Sequence, residues 1–76
     1  MLKKDPSLKA FGERVRKARK EKGLSQEGLA FESEIDRSYV GGVERGERNP
    51  SLKKMCRIAR VLGCDLAKLT KGLPAE

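Results

Sequence analysis

The residues of this chain that could do chemistry are charged side chains and hydroxyls, because the common catalytic and metal-binding types are scarce. Histidine, the commonest general base and metal ligand, is absent from the 76 residues. Cys56 and Cys64 have no partner ligands at zinc-finger spacing, and we predict that both are small buried hydrophobic residues. The carboxylates lie among Lys and Arg. We therefore expect no enzyme, no metal site and no cofactor.

Basic side chains exceed acidic ones, and they are unevenly distributed. With 18 Lys+Arg and 11 Asp+Glu, the formal net charge is +7. Residues 1–23 carry nine basic and three acidic side chains, residues 51–76 carry six and two, and residues 24–50 carry three and six. This excess favours a polyanionic partner, nucleic acid above all, over a merely solvated surface. The middle segment is not itself a basic patch.

The length of the chain allows one small domain. A chain of 76 residues buries only roughly 60–65% of its unfolded surface, so oligomerisation is the expected additional source of stability. The apolar runs are a few residues long, far from the ~20 needed to cross a bilayer, and no secretion signal is recognisable. We expect a cytoplasmic protein with no membrane partner.

Apolar residues at spacings of three and four predict five helices and no strand. The first helix is capped by Asp5 or Ser7 and ends at Gly23. Its apolar stripe is Leu8, Phe11, Val15 and Ala18. The fourth helix opens with Ser51 as its cap, and its predicted buried face is Leu52, Met55, Cys56, Ala59 and Leu62, with Ile58 alongside. A short fifth helix follows Asp65.

Two short helices lie between these supports. The second helix runs from Gln26 to about Glu32 after a Ser25 cap, and the third covers about 37–45 after an Asp36 cap. Their inward residues, Leu29, Ala30, Ile35, Val40 and Val43, fit two helices that meet steeply around a short turn. We divide the chain into a flexible arm (1–6), a single domain (7–72) whose helix pair covers about 26–45, and a loose tail (73–76).

The segments RKARKEKGLSQEGLA, DRSYVGGVERGERNPSL and IARVLGCDLAKL resemble the Cro/repressor-type helix-turn-helix family, also called the XRE family. The likeness covers roughly residues 8–70. It implies a compact five-helix, lambda-repressor-like domain that binds double-stranded DNA, with the third helix in the major groove. A small helical adaptor that binds RNA or a protein is the alternative.

The resemblance also implies which residues meet the DNA bases. They are Arg37, Ser38, Tyr39, Gly41, Gly42 and Arg45. Arg37 has the fork that can bind guanine O6 and N7 together. Tyr39 can pack on a thymine methyl or reach a phosphate, with a partly buried ring between helices as the alternative, and Arg45 can serve a base or a phosphate. Two glycines inside a helix cost about 1 kcal/mol each relative to alanine, and we expect the bare backbone there to let the helix approach DNA closely. The alternative is that the glycines do not read sequence.

Contacts to the DNA backbone and one internal ion pair are implied in the same way. The phosphate contacts are Gln26, Arg48, Asn49 and Ser51. Arg19 is expected to pair with Glu44 in a partly buried, structural interaction. Glu34 occupies a turn position that is commonly glycine in the family, so we expect a left-handed backbone there at a cost of about 1 kcal/mol.

One recognition helix reads too few base pairs for a genomic address, so we predict a homodimer on a palindromic operator with half-sites ~34 Å apart. Its interface is predicted at Leu66, Leu69 and Leu73; the alternative is that all three pack inside the monomer. The expected function is transcriptional regulation, with RNA polymerase as a candidate partner and no small-molecule ligand. Single-domain family members with R-S-Y and E-R-G-E-R-N are similar to autoregulatory restriction–modification controller proteins, and antitoxin or phage Cro-like roles are alternatives.

Overall fold

Helices make up most of residues 5–73, the part of the chain described by the structure, a computed structural model. In chain order they are α1 (Pro6–Glu21), α2 (Gln26–Ser33), α3 (Arg37–Glu44), α4 (Leu52–Leu62) and α5 (Leu66–Thr70). The predicted five-helix, all-α architecture is confirmed, and the described residues contain no strand. Within the same range, no helix is long and apolar enough to cross a membrane.

Each helix begins at a side-chain oxygen that accepts a hydrogen bond from a backbone N–H of its first turn. The caps are Asp5, Ser25, Asp36, Ser51 and Asp65. Because Asp5 rather than Ser7 caps α1, the helix starts at Pro6, within the predicted arm. The rest of that arm, residues 1–4, and residues 74–76 of the predicted tail lie outside the described residues.

The hydrophobic core lies where α1, the α2–α3 pair and α4 meet. Its largest fully buried apolar side chains are Leu29, Ile58, Leu69, Val15, Val40 and Val43. All the inward positions predicted for the helix pair are buried. The core therefore holds α3 from behind and leaves its opposite face at the surface.

The crossing of α1 over α3 depends on Gly12, a residue whose importance the sequence interpretation missed. A Cβ at this position would overlap the carbonyl oxygen of Val43 and lie 2.7 Å from that of Glu44. The two helix backbones are therefore in direct contact, with no room for even a methyl group. A glycine inside an otherwise regular helical pattern was the available signal for such a close approach.

The predicted buried face of α4 was wrong at two positions. Leu52 is 64% exposed and Cys56 is exposed, whereas Ile58 is fully buried. Because successive helical residues are about 100° apart, Leu52 and Cys56 lie roughly 70° and 110° from the centre of the buried face. That face is Met55, Ile58, Ala59 and Leu62. Cys64 is half-buried against the core, so of the two cysteines only Cys56 departs from its predicted place.

The structure also corrects one residue of the predicted dimer interface. Leu69 is completely buried in the protomer, and Leu66 and Leu73 pack partly against the same core. Arg14 from α1 donates a hydrogen bond to the Leu69 carbonyl at 3.3 Å, which ties α5 to its own chain. Leu69 therefore cannot contact a partner, while Leu66 and Leu73 keep exposed surface.

Glu34 closes α2 in the left-handed conformation predicted for it, with φ 58° and ψ 42°. It is the only non-glycine residue with positive φ among residues 5–73. Its backbone N–H still closes the helix by donating to the carbonyls of Ala30 and Phe31. The turn thus keeps its geometry at the expense of local strain.

Replacing Glu34 with glycine is expected to stabilise the fold, because glycine adopts this conformation without a Cβ penalty. The gain should be about 1 kcal/mol, which for a domain of this size raises the melting temperature by roughly 4–8 °C. Thermal unfolding followed by circular dichroism measures it. The matched control is Glu32→Gly, an exposed position inside α2, where the same change should lower stability by about 1 kcal/mol. Equal shifts for both variants would contradict the assignment of strain to Glu34.

Candidate nucleic-acid interface

The outer face of α3 begins with an ordered acidic cap. The Asp36 carboxylate accepts hydrogen bonds from the Ser38 N–H at 3.0 Å and from the Ser38 hydroxyl. The bond from the hydroxyl lowers the pKa of Asp36, so the cap stays ionised until the pH falls through this lowered value. Because Ser38 donates its hydroxyl hydrogen to Asp36, the oxygen of this exposed side chain can act only as an acceptor towards another group.

Arg37 lies beside this cap and is held only weakly. Its Nε is 4.0 Å from a carboxylate oxygen of Glu27, and the two side chains are 63% and 80% exposed. A surface pair of this kind contributes little to stability. The guanidinium can therefore leave Glu27 for a base edge at low cost, as its predicted role requires.

The structure corrects the interpretation of the two glycines in α3, because neither presents bare backbone to solvent. Both are buried. A Cβ on Gly41 would lie 3.0 Å from Nη1 of Arg45, and a Cβ on Gly42 would lie 2.6 Å from Cγ of Arg48. Gly41 is covered by the mobile end of an arginine, whereas Gly42 is covered by the stem of one. The predicted base contact of Gly42 is therefore blocked by the protein itself.

Arg45 occupies the C-terminal end of α3 as its capping residue. Its Nε lies 3.1 Å from a Glu47 carboxylate oxygen, and both side chains are about half exposed, at 58% and 45%. The guanidinium therefore stays at the surface, where contact with a base or a phosphate remains a prediction.

A buried ion pair fixes α3 to α1. Arg19 donates from Nε to Glu44 at 2.6 Å and from Nη2 at 3.0 Å, and the side chains are only 9% and 2% exposed. These hydrogen bonds to Glu44 raise the pKa of Arg19 above its ordinary value, in spite of the opposing effect of burial. A third bond, from Nη1 to the Leu24 carbonyl at 2.8 Å, ties in the segment before α2. The predicted Arg19–Glu44 pair is present with two-point geometry.

Gln26 joins this pair from the first turn of α2. Its side-chain amide donates to Glu44 at 3.0 Å, which uses one of the two N–H groups that an amide carries. The other N–H and the backbone of the first turn are where the predicted phosphate contact would form. The buried pair therefore also sets the orientation of a residue expected at the DNA backbone.

Tyr39 lies in the first turn of α3 and is half-buried between two basic side chains, one from the following loop and one from α4. The guanidinium carbon of Arg48 is 5.5 Å from the centre of the ring, and the Nζ of Lys54 is 4.2 Å from it. The sequence interpretation missed Lys54. Its position could have indicated this contact, because Lys54 is the third residue of the helix that Ser51 caps and lies one turn beyond the loop that contains Arg48.

The loop between α3 and α4 presents the remaining predicted phosphate contacts. Arg48, Asn49 and Ser51 are all exposed, and Pro50 between them is buried. The Ser51 hydroxyl oxygen accepts from the Lys54 N–H at 3.2 Å, so it serves as the cap of α4. Within residues 5–73, no group of three or more candidate ligands could hold a metal ion.

Comparison with known proteins gives this arrangement a family context. Residues 15–69 match the model of the helix-turn-helix family. Control protein C.MunI from Mycoplasma sp is 40% identical over 67 residues, which are 87% of this chain and 90% of that protein.

Solved structures of similar proteins give the same family context. The restriction-modification controller protein C.AhdI from Aeromonas hydrophila superposes with a TM-score of 0.80 at 55% identity, covering 82% of this chain and 94% of that one. The biofilm regulator SinR, solved in complex with DNA, superposes with a TM-score of 0.75 at 33% identity, covering 78% and 95%. The lambda-repressor-like fold expected from the resemblance is confirmed.

Removing one partner of the buried pair is expected to cost stability before anything else. Glu44→Ala leaves the Arg19 guanidinium buried without its carboxylate and should lower the free energy of unfolding by roughly 3–5 kcal/mol. Urea unfolding measures this difference. The matched control is Glu27→Ala, which breaks the exposed pair with Arg37 and should change stability by less than about 1 kcal/mol. A Glu44→Ala protein of undiminished stability that had lost nucleic-acid binding would contradict the structural role.

Proposed function

The chain belongs to the helix-turn-helix family, and we propose that it is a DNA-binding transcriptional regulator that recognises a palindromic operator as a homodimer. The family is one of DNA-binding regulators and not of enzymes. The observation that carries the proposal is the surface of α3. Arg37 and Ser38 stand exposed at its start, while Glu44 anchors its end in the core.

The regulatory role follows from the kind of relatives the chain has. Two proteins are similar to it over most of their length: C.MunI is called a control protein, and C.AhdI is called a restriction-modification controller protein. We propose that this chain controls the operator upstream of its own gene, with its concentration as the signal. RNA polymerase remains a candidate partner at such a promoter, and a cytoplasmic location remains a prediction.

Arg37→Ala tests sequence reading. In-vitro selection from random duplexes with the wild-type protein should enrich a palindrome with half-sites about one helical turn apart. Loss of a bidentate arginine contact should weaken binding to that palindrome by about 1–3 kcal/mol per half-site and relax the preference for one base. Fluorescence anisotropy with the selected duplex and a scrambled duplex measures both effects.

The matched control is Arg16→Ala, which removes the same charge from an exposed position on α1. It should weaken binding to both duplexes equally and only slightly, because it reduces the long-range, salt-dependent attraction between the protein and DNA. If no palindrome is enriched, and Arg37→Ala and Ser38→Ala leave partner binding intact, the protein is the adaptor that was the alternative interpretation.

The proposed homodimer needs exposed apolar surface, and Leu69 has none because it is buried in the protomer. Leu66 and Leu73 keep part of their surface, and Leu52 adds an apolar side chain on α4, beside Cys56 in a shallow groove of about 430 Å³. The described part of the protomer measures 32 × 25 × 21 Å. Two such bodies whose recognition helices lie ~34 Å apart must touch or nearly touch, so we propose contact through α4 and α5.

Leu52→Lys is expected to weaken dimerisation at least roughly tenfold, because it replaces an apolar side chain with a charge in a groove already lined by Lys53, Arg57 and Arg60. Sedimentation equilibrium at physiological salt measures the dissociation constant, and the monomer should stay folded because Leu52 is 64% exposed. The matched control is Phe31→Lys, which alters an 85% exposed side chain at the end of α2. A dimer weakened by Phe31→Lys and not by Leu52→Lys would move the interface to α2.

A further inference from the structure

The contact of two cations with one tyrosine ring is not explained by the fold. A single cation within about 6 Å of an aromatic ring is attracted to it. Two cations on the same ring also repel each other, since Arg48 and Lys54 both lie within 5.5 Å of the Tyr39 centroid. The ion pairs found within residues 5–73 involve neither of them. The cluster therefore concentrates positive charge that no ion pair within residues 5–73 neutralises.

Gly42 makes this arrangement possible. The chain turns back at Gly46, which has φ 75°, and the Glu47 N–H donates to the Gly42 carbonyl at 2.8 Å. This return places Arg48 against α3, over Gly42 and near the ring of Tyr39. A Cβ on Gly42 would lie 2.6 Å from Cγ and 3.3 Å from Nε of Arg48. The arginine stem thus occupies the space that a side chain at position 42 would need.

We propose that Arg48, Lys54 and Tyr39 form one preassembled site for a phosphodiester group of DNA, and that Gly42 is the positioning residue that assembles it. The inference rests on the proposed DNA-binding function and assigns Lys54, Tyr39 and Gly42 roles at the DNA backbone. Arginine donates two parallel hydrogen bonds to a phosphate, and lysine adds a point charge. The Tyr39 hydroxyl is a further donor beside them.

Preassembly matters because both cations have long side chains that lose freedom when they bind. Holding them on the ring before DNA arrives removes part of that cost. The phosphate then supplies the negative charge that the cluster lacks. According to this proposal, Gly42 leaves space for the Arg48 side chain. Its role is not to let the helix backbone approach the bases closely.

A double-mutant cycle on Gly42 and Arg48 separates these two explanations. Gly42→Ala and Arg48→Ala should each weaken binding to the selected palindrome and to the scrambled duplex alike, by roughly tenfold. Each should also reduce the slope of log K against log salt by about one. In the Arg48→Ala background, Gly42→Ala should have no further effect, because its target has gone. An undiminished loss in that background would overturn the proposal in favour of backbone approach.

Lys54→Ala tests the second cation in the same assay. It should weaken binding to both duplexes and lower the salt slope by about one. An effect on the palindrome alone would assign Lys54 to base reading and overturn its place in the site.

Tyr39 provides a test that needs no DNA. It is the only tyrosine, and tryptophan is absent, so tyrosine emission reports on this cluster alone. Gly42→Ala and Arg48→Ala should change the emission in the same direction. The matched control is Gly41→Ala, which adds the same methyl group to the same helix but meets the guanidinium end of Arg45 at 3.0 Å and Oε1 of Gln26 at 3.7 Å, and neither cation of the cluster. Equal emission changes for Gly41→Ala and Gly42→Ala would overturn the positioning role.

Inorganic phosphate then tests the ligand class directly. Titrated at constant ionic strength against chloride, it should change the Tyr39 emission of the wild-type protein and not that of the Arg48→Ala, Lys54→Ala double variant. Identical responses of the two proteins would overturn the site. If the wild-type protein bound neither duplex, the proposed function would fail, while both emission experiments would still decide whether the site exists.

Discussion

The structure depends on one buried ion pair. Arg19 and Glu44 meet through two hydrogen bonds, and the bond from Gln26 and the bond to the Leu24 carbonyl extend the contact to α2 and the segment before it. One carboxylate therefore joins three helices at the point where they diverge. Such a pair is costly to break, because either partner alone would be a buried charge. This explains how a domain with so small a core holds two short helices in a fixed relation.

Charge and recognition are separated along the chain. The middle segment, which contains the helix pair, is net acidic, and the flanking segments carry the positive excess. Long-range attraction to a polyanion comes from these flanks and depends on salt. Base reading is proposed for a few side chains at the start of α3, and the Asp36 cap holds one of them, Ser38, in place. Substitutions in the flanking segments can therefore change the attraction to DNA without changing which sequence is selected, and substitutions in α3 can do the reverse.

The sequence predicted what depends on local pattern and missed what depends on contact between distant segments. Helix order and the caps at Ser25 and Asp36 follow from residue type and periodicity. The left-handed Glu34 was expected from the family resemblance. The resemblance supplied the Arg19–Glu44 pair. The exposure of Leu52 and Cys56 was not predicted, because helical spacing gives a stripe but not its exact centre. The covering of Gly42 by Arg48 was not predicted either, since it depends on how the chain returns after Gly46.

The absence of a side chain at Gly12 has a consequence for how such a domain can diversify. Because α1 meets the carbonyls of Val43 and Glu44 directly, the depth at which α3 sits is set by backbone contact and not by the size of any side chain. Residues on the outer face of α3 take no part in that contact. Arg37 and Ser38 can therefore be exchanged without moving the helix. If these residues read the bases as proposed, the scaffold can acquire a different DNA target through substitutions that leave its internal geometry unaltered.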